Sequence, residues 1–252
     1  MRAIILAAGR GSRLQQAQLR PKCLLEFGGA SLLERHLQLL RDAGVAEVVL
    51  VLGFMHETVA ASLRDWHGPP HTLIVVNPRF ELGSVVTLDT AAAALRRGGD
   101  VLVMDADVLY DQRIMRSLVQ GAAPVNRLLI DREFEPGAEP VKVCVRAGVP
   151  IELRKQLGAD LACDAIGESV GFFRLSEVAA ARLASIVAGY VQGGRVDQPH
   201  EEALRDLLRE ASHVFEVADV TGMPWIEIDF PADVERARQE ILPRLQARPG
   251  AP

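Results

Sequence analysis

The chain has 252 residues, 49% hydrophobic and 24% charged, enough for one large core and unlike a disordered polymer. Its net charge is −5 with no block of like charge, which argues against nucleic acid as a partner. The apolar runs, such as Val48 to Leu52 and Val101 to Met104, fall far short of a bilayer span, so no membrane insertion is expected.

Residues 2–7 read as a buried strand whose apolar run ends at Gly9. That run leads straight into a glycine loop without the cleavage site of a signal peptide, which predicts a cytoplasmic protein. Ser31 and Glu34 form a capping-box signal, and Leu32, Leu33, Leu37 and Leu40 supply a helical stripe that Gly44 stops. Residues 46–52 predict a second strand, 56–66 a helix and 72–76 a third strand. Ser84 caps a predicted helix through the alanine-rich stretch to about Arg96, and 101–104 form a fourth strand ended by Asp105-Ala106-Asp107. Such alternation marks successive βαβ units and a parallel sheet with helices on both faces. Ligands bind beyond the carboxyl ends of such strands, so the Gly9–Leu14 loop and Asp105–Asp107 are expected to face one crevice.

After about residue 120 the rhythm changes. Residues 126–131, 141–146, 150–154 and 168–174 predict strands, with a turn at Ala147-Gly148-Val149. Helices are expected near 176–188 and 199–210, then short strands at 213–217 and 225–229. Pro231 opens a final helix over 231–245, and residues 246–252 are expected to fray. No repeat or linker divides the chain, so a single domain is expected, with halves at about 1–120 and 121–245. Cys23, Cys144 and Cys163 cannot all pair and lack metal-like spacing, which predicts reduced structural thiols. The six histidines show no ligand spacing, which argues against zinc.

Three motifs carry candidate chemistry. In LAAGRGSRL (6–14), small residues let backbone amides approach phosphate oxygens, and Arg10, Arg13, Arg20 and Lys22 concentrate positive charge nearby. The loop is no dinucleotide fingerprint, because Leu14 stands where the third glycine belongs, and it lacks the GxxxxGK pattern. In VLVMDADV (101–108), two carboxylates one residue apart at a strand end can hold a divalent metal beside phosphates. In WIEIDFPADVERA (225–237), Asp229 ends a further strand, although either Asp229 or Asp233 would serve equally as a helix cap. Each motif alone has an ordinary structural explanation.

Together with PKCLLEFGG (21–29), SLLERHL (31–37) and NPRFELGS (77–84), these segments resemble the nucleotidyltransferase superfamily of sugar-nucleotide pyrophosphorylases and small-alcohol cytidylyltransferases. The similarity is greatest to phosphocholine and 2-aminoethylphosphonate cytidylyltransferases and covers essentially the whole chain. It implies a Rossmann-like, GT-A-type α/β fold. A mixed, mainly parallel sheet would carry helices on both faces, with a smaller antiparallel sheet on the acceptor side. The first half would bind nucleotide and the second the acceptor; a homodimer is compatible with this pattern. The implied reaction is transfer of CMP from CTP to a small phosphate- or phosphonate-bearing acceptor, with Mg²⁺ as cofactor and pyrophosphate released.

By the same resemblance, the backbone of Leu6, Ala7, Ala8 and Gly9 would hold base and ribose, and Gly11, Ser12 and Arg13 the triphosphate. Lys22, with Arg13, would act at the α-phosphate; Asp107 and Asp229 would hold the metal, and Asp105 would lie behind them or touch ribose. Acceptor-binding candidates are Glu168, Ser84, Tyr110 and Asp197, drawn from a larger set of acids and aromatics that includes Glu201, Phe80 and Trp225. Gly83-Ser84 departs from the subfamily, which often carries Asn in this segment. A sugar-1-phosphate nucleotidyltransferase is the alternative within the same chemistry, and a silent nucleotide-binding subunit the alternative outside it. A GT-A glycosyltransferase would share the DxD motif without needing the AAGRGSR loop followed by Lys22.

Overall fold

The computed structural model of the protein describes residues 1–14, 20–64, 66–121 and 126–247. Its first half alternates as expected: β1 (Arg2–Ala7), a one-turn 3₁₀ segment at Lys22–Leu24, a hairpin of β2 (Glu26–Phe27) and β3 (Ala30–Ser31), then α1 (Leu32–Asp42). β4 (Glu47–Leu52), α2 (His56–Ser62), β5 (His71–Val76), α3 (Ser84–Thr90), α4 (Ala92–Leu95) and β6 (Val101–Asp105) follow. β1 pairs in parallel with β4 and β6, and β4 with β5. Ser31 caps α1 with the reciprocal Glu34 bonds that its spacing predicts.

The second half comprises β7 (Val108–Tyr110), α5 (Gln112–Val119), β8 (Asn126–Asp131), β9 (Lys142–Arg146), β10 (Val149–Arg154) and β11 (Ala165–Leu175). It ends with α6 (Glu177–Gln192), α7 (His200–Glu210), β12 (Phe215–Asp219), β13 (Trp225–Glu227), α8 (Pro231–Arg236) and α9 (Leu242–Gln246). β11 joins the two halves. Its C-terminal end pairs antiparallel with β6, its N-terminal end with β9, and β8 runs along it across a register shift between Ser169 and Phe173. The antiparallel strands are therefore continuous with the parallel ones in one nine-stranded sheet, beside the separate two-stranded pairs β7–β13 and β2–β3.

Hydrophobic layers cover both faces of this sheet. α3, α6 and α7 bury Val85, Leu88, Leu183, Val187, Leu204 and Leu207 on one side. α1 and α5 bury Leu33, Leu37, Leu40, Ile114 and Leu118 on the other. A third cluster, including Leu14, Leu25, Phe27, Ile226, Ile228 and Ile241, packs the glycine loop and the β2–β3 hairpin against the C-terminal helices. It sets the loop that follows β1 against the segment that follows β13. None of the described helices is long and apolar enough to cross a membrane.

Several boundaries differ from the expected ones. The 56–66 helix ends at Ser62, and the 84–96 helix divides at Ala91. α5, capped by the Asp111 side chain and burying Ile114, Met115 and Leu118, was not anticipated because eight residues hold only two turns of pattern. Within 231–245, Pro243 has no N–H to continue the ladder, and a π-type turn occupies Ala237–Ile241 between α8 and α9. Of the tail expected to fray, Gln246 still belongs to α9, and residues 248–252 lie outside the described residues.

The cysteines need a correction. Cys144 and Cys163 form a disulfide, and only Cys23 remains as a free, buried thiol among the described residues. The sequence separation of 19 gave no hint of it, but the β10–β11 connection returns alongside β9 and brings the two Cα atoms to 5.4 Å. Arg146 Nε donating to the Ala162 carbonyl (2.8 Å) and Ala147 N donating to Asp164 (2.6 Å) hold the same edge. Closing a loop of this length is worth about 3 kcal/mol. Cys163→Ser is expected to lower unfolding free energy by about 2–4 kcal/mol against the oxidised protein. Urea titration measures this, and reductant added to the unsubstituted protein should reproduce the loss; identical midpoints with and without reductant would show that the bridge contributes nothing.

Candidate active site

Three distant segments meet at the carboxyl ends of the central strands. Gly11, at φ +60°, turns the chain after β1; a Cβ there would come within 2.8 Å of Lys22 Cγ, so glycine leaves the passage for the lysine stem. Asp107 lies in the turn between β6 and β7, and Asp229 follows β13. Antiparallel pairing of Val108 with Glu227, with Ile228 N donating to the Asp107 carbonyl (2.9 Å), brings them side by side. Lys22 Nζ donates to Asp107 Oδ2 at 2.9 Å and to Asp229 Oδ1 at 2.6 Å. Burial pulls the Lys22 pKa down, yet the charges of Asp107 and Asp229 outweigh it and raise the value, so the ammonium stays charged.

Asp233 settles which carboxylate caps the following helix. Its Oδ2 accepts from the backbone N–H groups of Asp229 (2.9 Å) and Phe230 (2.7 Å), so the Asp229 carboxylate is left to face the cleft. Glu227, which sequence reasoning missed, completes an acidic trio: carboxylate oxygens of Asp107, Glu227 and Asp229 lie within 4.8 Å of one another. Enclosure, then the neighbouring charges of Asp107, Asp105 and Asp229, push the Glu227 pKa well above the ordinary range. Hard oxygen donors so grouped fit a divalent cation such as Mg²⁺, whose charge would relieve this repulsion.

Beside the trio is a cavity of about 300 Å³. Leu6, Ala7, Ala8, Gly9 and Gly11 form one wall, Phe80, Ser84 and Thr87 a second, and Asp105, Asp107, Lys22 and Glu227 the floor. His200, Glu201 and Lys155 close the far side. Ser12 is exposed beside the loop. Arg13 NH1 reaches Asp229 (3.3 Å) and Glu139 (3.2 Å), and its guanidinium lies 5.0 Å from the Phe230 ring centroid.

Asp105 points into a space left by Gly171 (φ +80°), where a Cβ would lie 2.3 Å from Asp105 Oδ2. Desolvation, then the charges of Glu201 and Asp107, raise the Asp105 pKa well above the usual carboxylate range. Ser84 Oγ accepts from the His200 backbone N–H (2.8 Å) and lies 3.1 Å from His200 Nδ1. With Ser84 donating to Nδ1, the imidazole proton sits on Nε2 and faces Asp105 Oδ1 3.6 Å away. Glu201 Oε2 is 3.1 Å from the same Nδ1 but is misaligned with it, and it has no hydrogen-bond partner among the described residues. A buried carboxylate oxygen without a donor is costly.

Residues 3–168 match the model of the MobA-like NTP transferase domain. The chain belongs to this NTP transferase family. It is 30% identical, over 96% of its length, to CMP-5'-(3-aminopropyl)phosphonate synthase of Streptomyces rubellomurinus, but spans only 39% of that protein. It is 23% identical to CTP:phosphoglutamine cytidylyltransferase of Campylobacter jejuni, covering 93% of this chain and 98% of that one. Among solved structures, the inositol-1-phosphate CTP transferase of T. maritima superimposes with a TM-score of 0.79 at 20% identity, covering 99% of this chain and 98% of that one. That likeness concerns the fold.

Three residues expected at the acceptor do not line this cavity. Tyr110 is buried, its hydroxyl 3.3 Å from His36 Nδ1 and its ring edge-on to Phe172 at 4.8 Å, so it packs beneath the Asp105–Asp107 turn. Asp197 is exposed and accepts from the Gln198 side chain at 3.1 Å, while its backbone covers Gly83. Glu168 sits on β11 opposite Asp131, whose other oxygen accepts from Trp225 Nε1 at 2.8 Å. Neither Tyr110, Asp197 nor Glu168 lines the cavity, whereas Ser84 does.

Desolvation, followed by repulsion from Asp131, raises the Glu168 pKa to about 7. An acid whose folded pKa lies above its unfolded value favours folding at low pH and loses that contribution as pH rises through the folded pKa. Glu168→Gln is therefore expected to melt above the unsubstituted protein at pH 8 and to match it near pH 4. A difference of equal size at both pH values would show that Glu168 ionises normally.

Proposed function

We propose that this NTP transferase moves CMP from CTP to a small phosphate- or phosphonate-bearing acceptor with a cationic tail, and releases pyrophosphate. The observation that carries the reading is the junction of Lys22 and Asp107 at the floor of a cavity whose wall is the Leu6–Gly11 loop, with Asp229 held to the same lysine. Both relatives described above carry names for cytidylyl transfer to phosphorus-bearing small molecules, which supports CTP and the acceptor class. The donorless Glu201 oxygen beside Asp105 supports a cationic tail, because an ammonium would supply the missing hydrogen bond.

In this reading the backbone of Leu6 to Gly9 holds base and ribose, while Gly11, Ser12 and Arg13 take the triphosphate. Asp107, Asp229 and Glu227 would hold Mg²⁺, which would neutralise charge on the phosphate oxygens. An acceptor oxygen attacks the α-phosphorus in line. The bond from that phosphorus to the oxygen bridging to the β-phosphate breaks, and pyrophosphate leaves with the electron pair. A phosph(on)ate oxygen is already anionic near neutral pH, so no side chain has to remove a proton. Lys22 gives up its carboxylate partners to bridge the α-phosphate and the attacking group, a role of placement and electrostatics rather than acid–base chemistry.

Pyrophosphate release tests this with purified protein, Mg²⁺ and each nucleoside triphosphate. The acceptor panel is phosphocholine, 2-aminoethylphosphonate, 3-aminopropylphosphonate, inositol phosphate and glucose 1-phosphate. Release with CTP and an aminated acceptor is expected, and chelation of the metal should abolish it. Release with glucose 1-phosphate alone would replace this reading with a sugar-1-phosphate nucleotidyltransferase. Lys22→Ala, Asp107→Asn and Asp229→Asn should each lower turnover at least about 10²-fold, the effect of losing one transition-state donor. Near-normal turnover in folded Lys22→Ala protein would refute the assignment.

A further inference from the structure

The carboxylate trio stands at one end of a ribbon made of two very short strands. β7 and β13 pair antiparallel, Val108 against Glu227, Leu109 against Ile226 and Tyr110 against Trp225. Asp107 precedes β7, Glu227 ends β13 and Asp229 follows it, so the trio gathers at the same end of both strands. The pair is separate from the nine-stranded sheet, and its strands come from different stretches of the second half of the chain. A two-stranded pair this short is marginal on its own. Repulsion among the three carboxylates also works to part β7 from β13, so something beyond the trio must hold their register.

The other end of the ribbon is fastened on both strands. Tyr110 and Trp225, the opposed pair there, pack with Val108 into the cluster beneath α1 and α5. The Tyr110 hydroxyl lies 3.3 Å from Nδ1 of His36, a buried residue of α1. Burial pulls the His36 pKa down to about 4, so the ring is neutral near pH 7; the Ala106 backbone, between Asp105 and Asp107, opposes that shift. Trp225 Nε1 donates to Oδ2 of the buried Asp131 at 2.8 Å. Asp131 Oδ1 in turn accepts from the Glu133 backbone N–H at 2.8 Å, which fixes the carboxylate at the end of β8. Leu109 and Ile226 pack on the third cluster instead. Apolar packing is non-directional and leaves register free, whereas hydrogen bonds to buried groups set it. At about 3.4 Å per residue, these bonds lie roughly 7–10 Å along the ribbon from the carboxylates.

We propose that His36 and Asp131 are positioning residues for the carboxylate trio, acting through the Tyr110 hydroxyl and the Trp225 indole N–H to hold β7 and β13 in register. The inference rests on reading Asp107, Glu227 and Asp229 as a divalent-cation site, and it names what in this chain shapes that site. His36 braces the strand that begins with Asp107. Asp131 braces the strand that carries Glu227 and leads to Asp229. Loss of either brace lets one strand shift against the other and spreads the oxygens that would share the cation.

Mn²⁺ serves as a paramagnetic probe. It is titrated into the substrate-free protein, free ion is followed by electron paramagnetic resonance, and melting temperatures are measured so that every variant is compared fully folded. Tyr110→Phe and Asp131→Ala should each weaken Mn²⁺ binding about tenfold, the scale for losing an outer hydrogen-bond partner of a metal site. Asp131→Asn keeps an oxygen for the indole and should recover most of the loss. Leu118→Ala opens the same hydrophobic cluster from α5, and should lower the melting temperature while leaving Mn²⁺ affinity unchanged. Equal weakening in Leu118→Ala would reduce the effect to a loosened core and overturn the proposal. Unchanged affinity in Tyr110→Phe or in Asp131→Ala overturns it for the residue concerned. No Mn²⁺ binding by the unsubstituted protein overturns the cation-site reading as well, whereas cytidylyl transfer itself is judged separately by pyrophosphate release.

Discussion

The site depends on one half-buried ionic junction, Lys22 between Asp107 and Asp229, with partners 85 and 207 residues away along the chain. One positive charge against two negative ones, with Glu227 close by, leaves an excess of negative charge in a partly enclosed space. Such an excess is unfavourable without a cation, and it is tolerable because the surrounding elements hold the groups rigidly. Strand pairing between β7 and β13 fixes the two aspartates, and the third hydrophobic cluster fixes the loops on either side.

Around that junction the cleft is divided by charge. Lys22 and Arg13 stand at one end beside Asp229, whereas Asp105 and Glu201 lie beneath the start of α7 with His200 between them. A substrate with an anionic and a cationic end would be oriented by this field before any specific contact forms. Glycine makes the packing feasible at two points. Gly11 clears the path of Lys22, and Gly171 leaves room for the Asp105 carboxyl at the bend where β11 passes from one neighbour to the next.

Much of the fold could be read from pattern. The runs at 2–7, 46–52, 72–76 and 101–104 all form strands; the central three are continuous apolar stretches because parallel strands covered on both faces need them, while 72–76 lies at the exposed edge of the sheet. Ser31 and Glu34 signal their helix through a purely local bond pair. Short or interrupted elements carried too little pattern: α5 has only two turns, and the last helix is broken ahead of Pro243. The candidate site divides similarly. Lys22, Asp107 and Asp229 stood out by motif, but Glu227, alternating with Ile226 and Ile228 as in any strand, was not singled out. His200, the residue that occupies Ser84, had no spacing signal at all.

By itself the sequence determined most of the strands and helices, and that the glycine loop and the aspartates would stand at strand ends. Those properties are local, arising from periodicity, capping and the rule that such sheets carry ligands at their carboxyl ends. Only the tertiary structure decided what meets across the cleft. It buried Tyr110 against His36 and Phe172, turned Glu168 toward Asp131 and away from the cavity, and joined Cys144 to Cys163. Such contacts follow from the packing of long-range strands, in which neighbours in space are tens to hundreds of residues apart in the chain, and no local pattern records that distance.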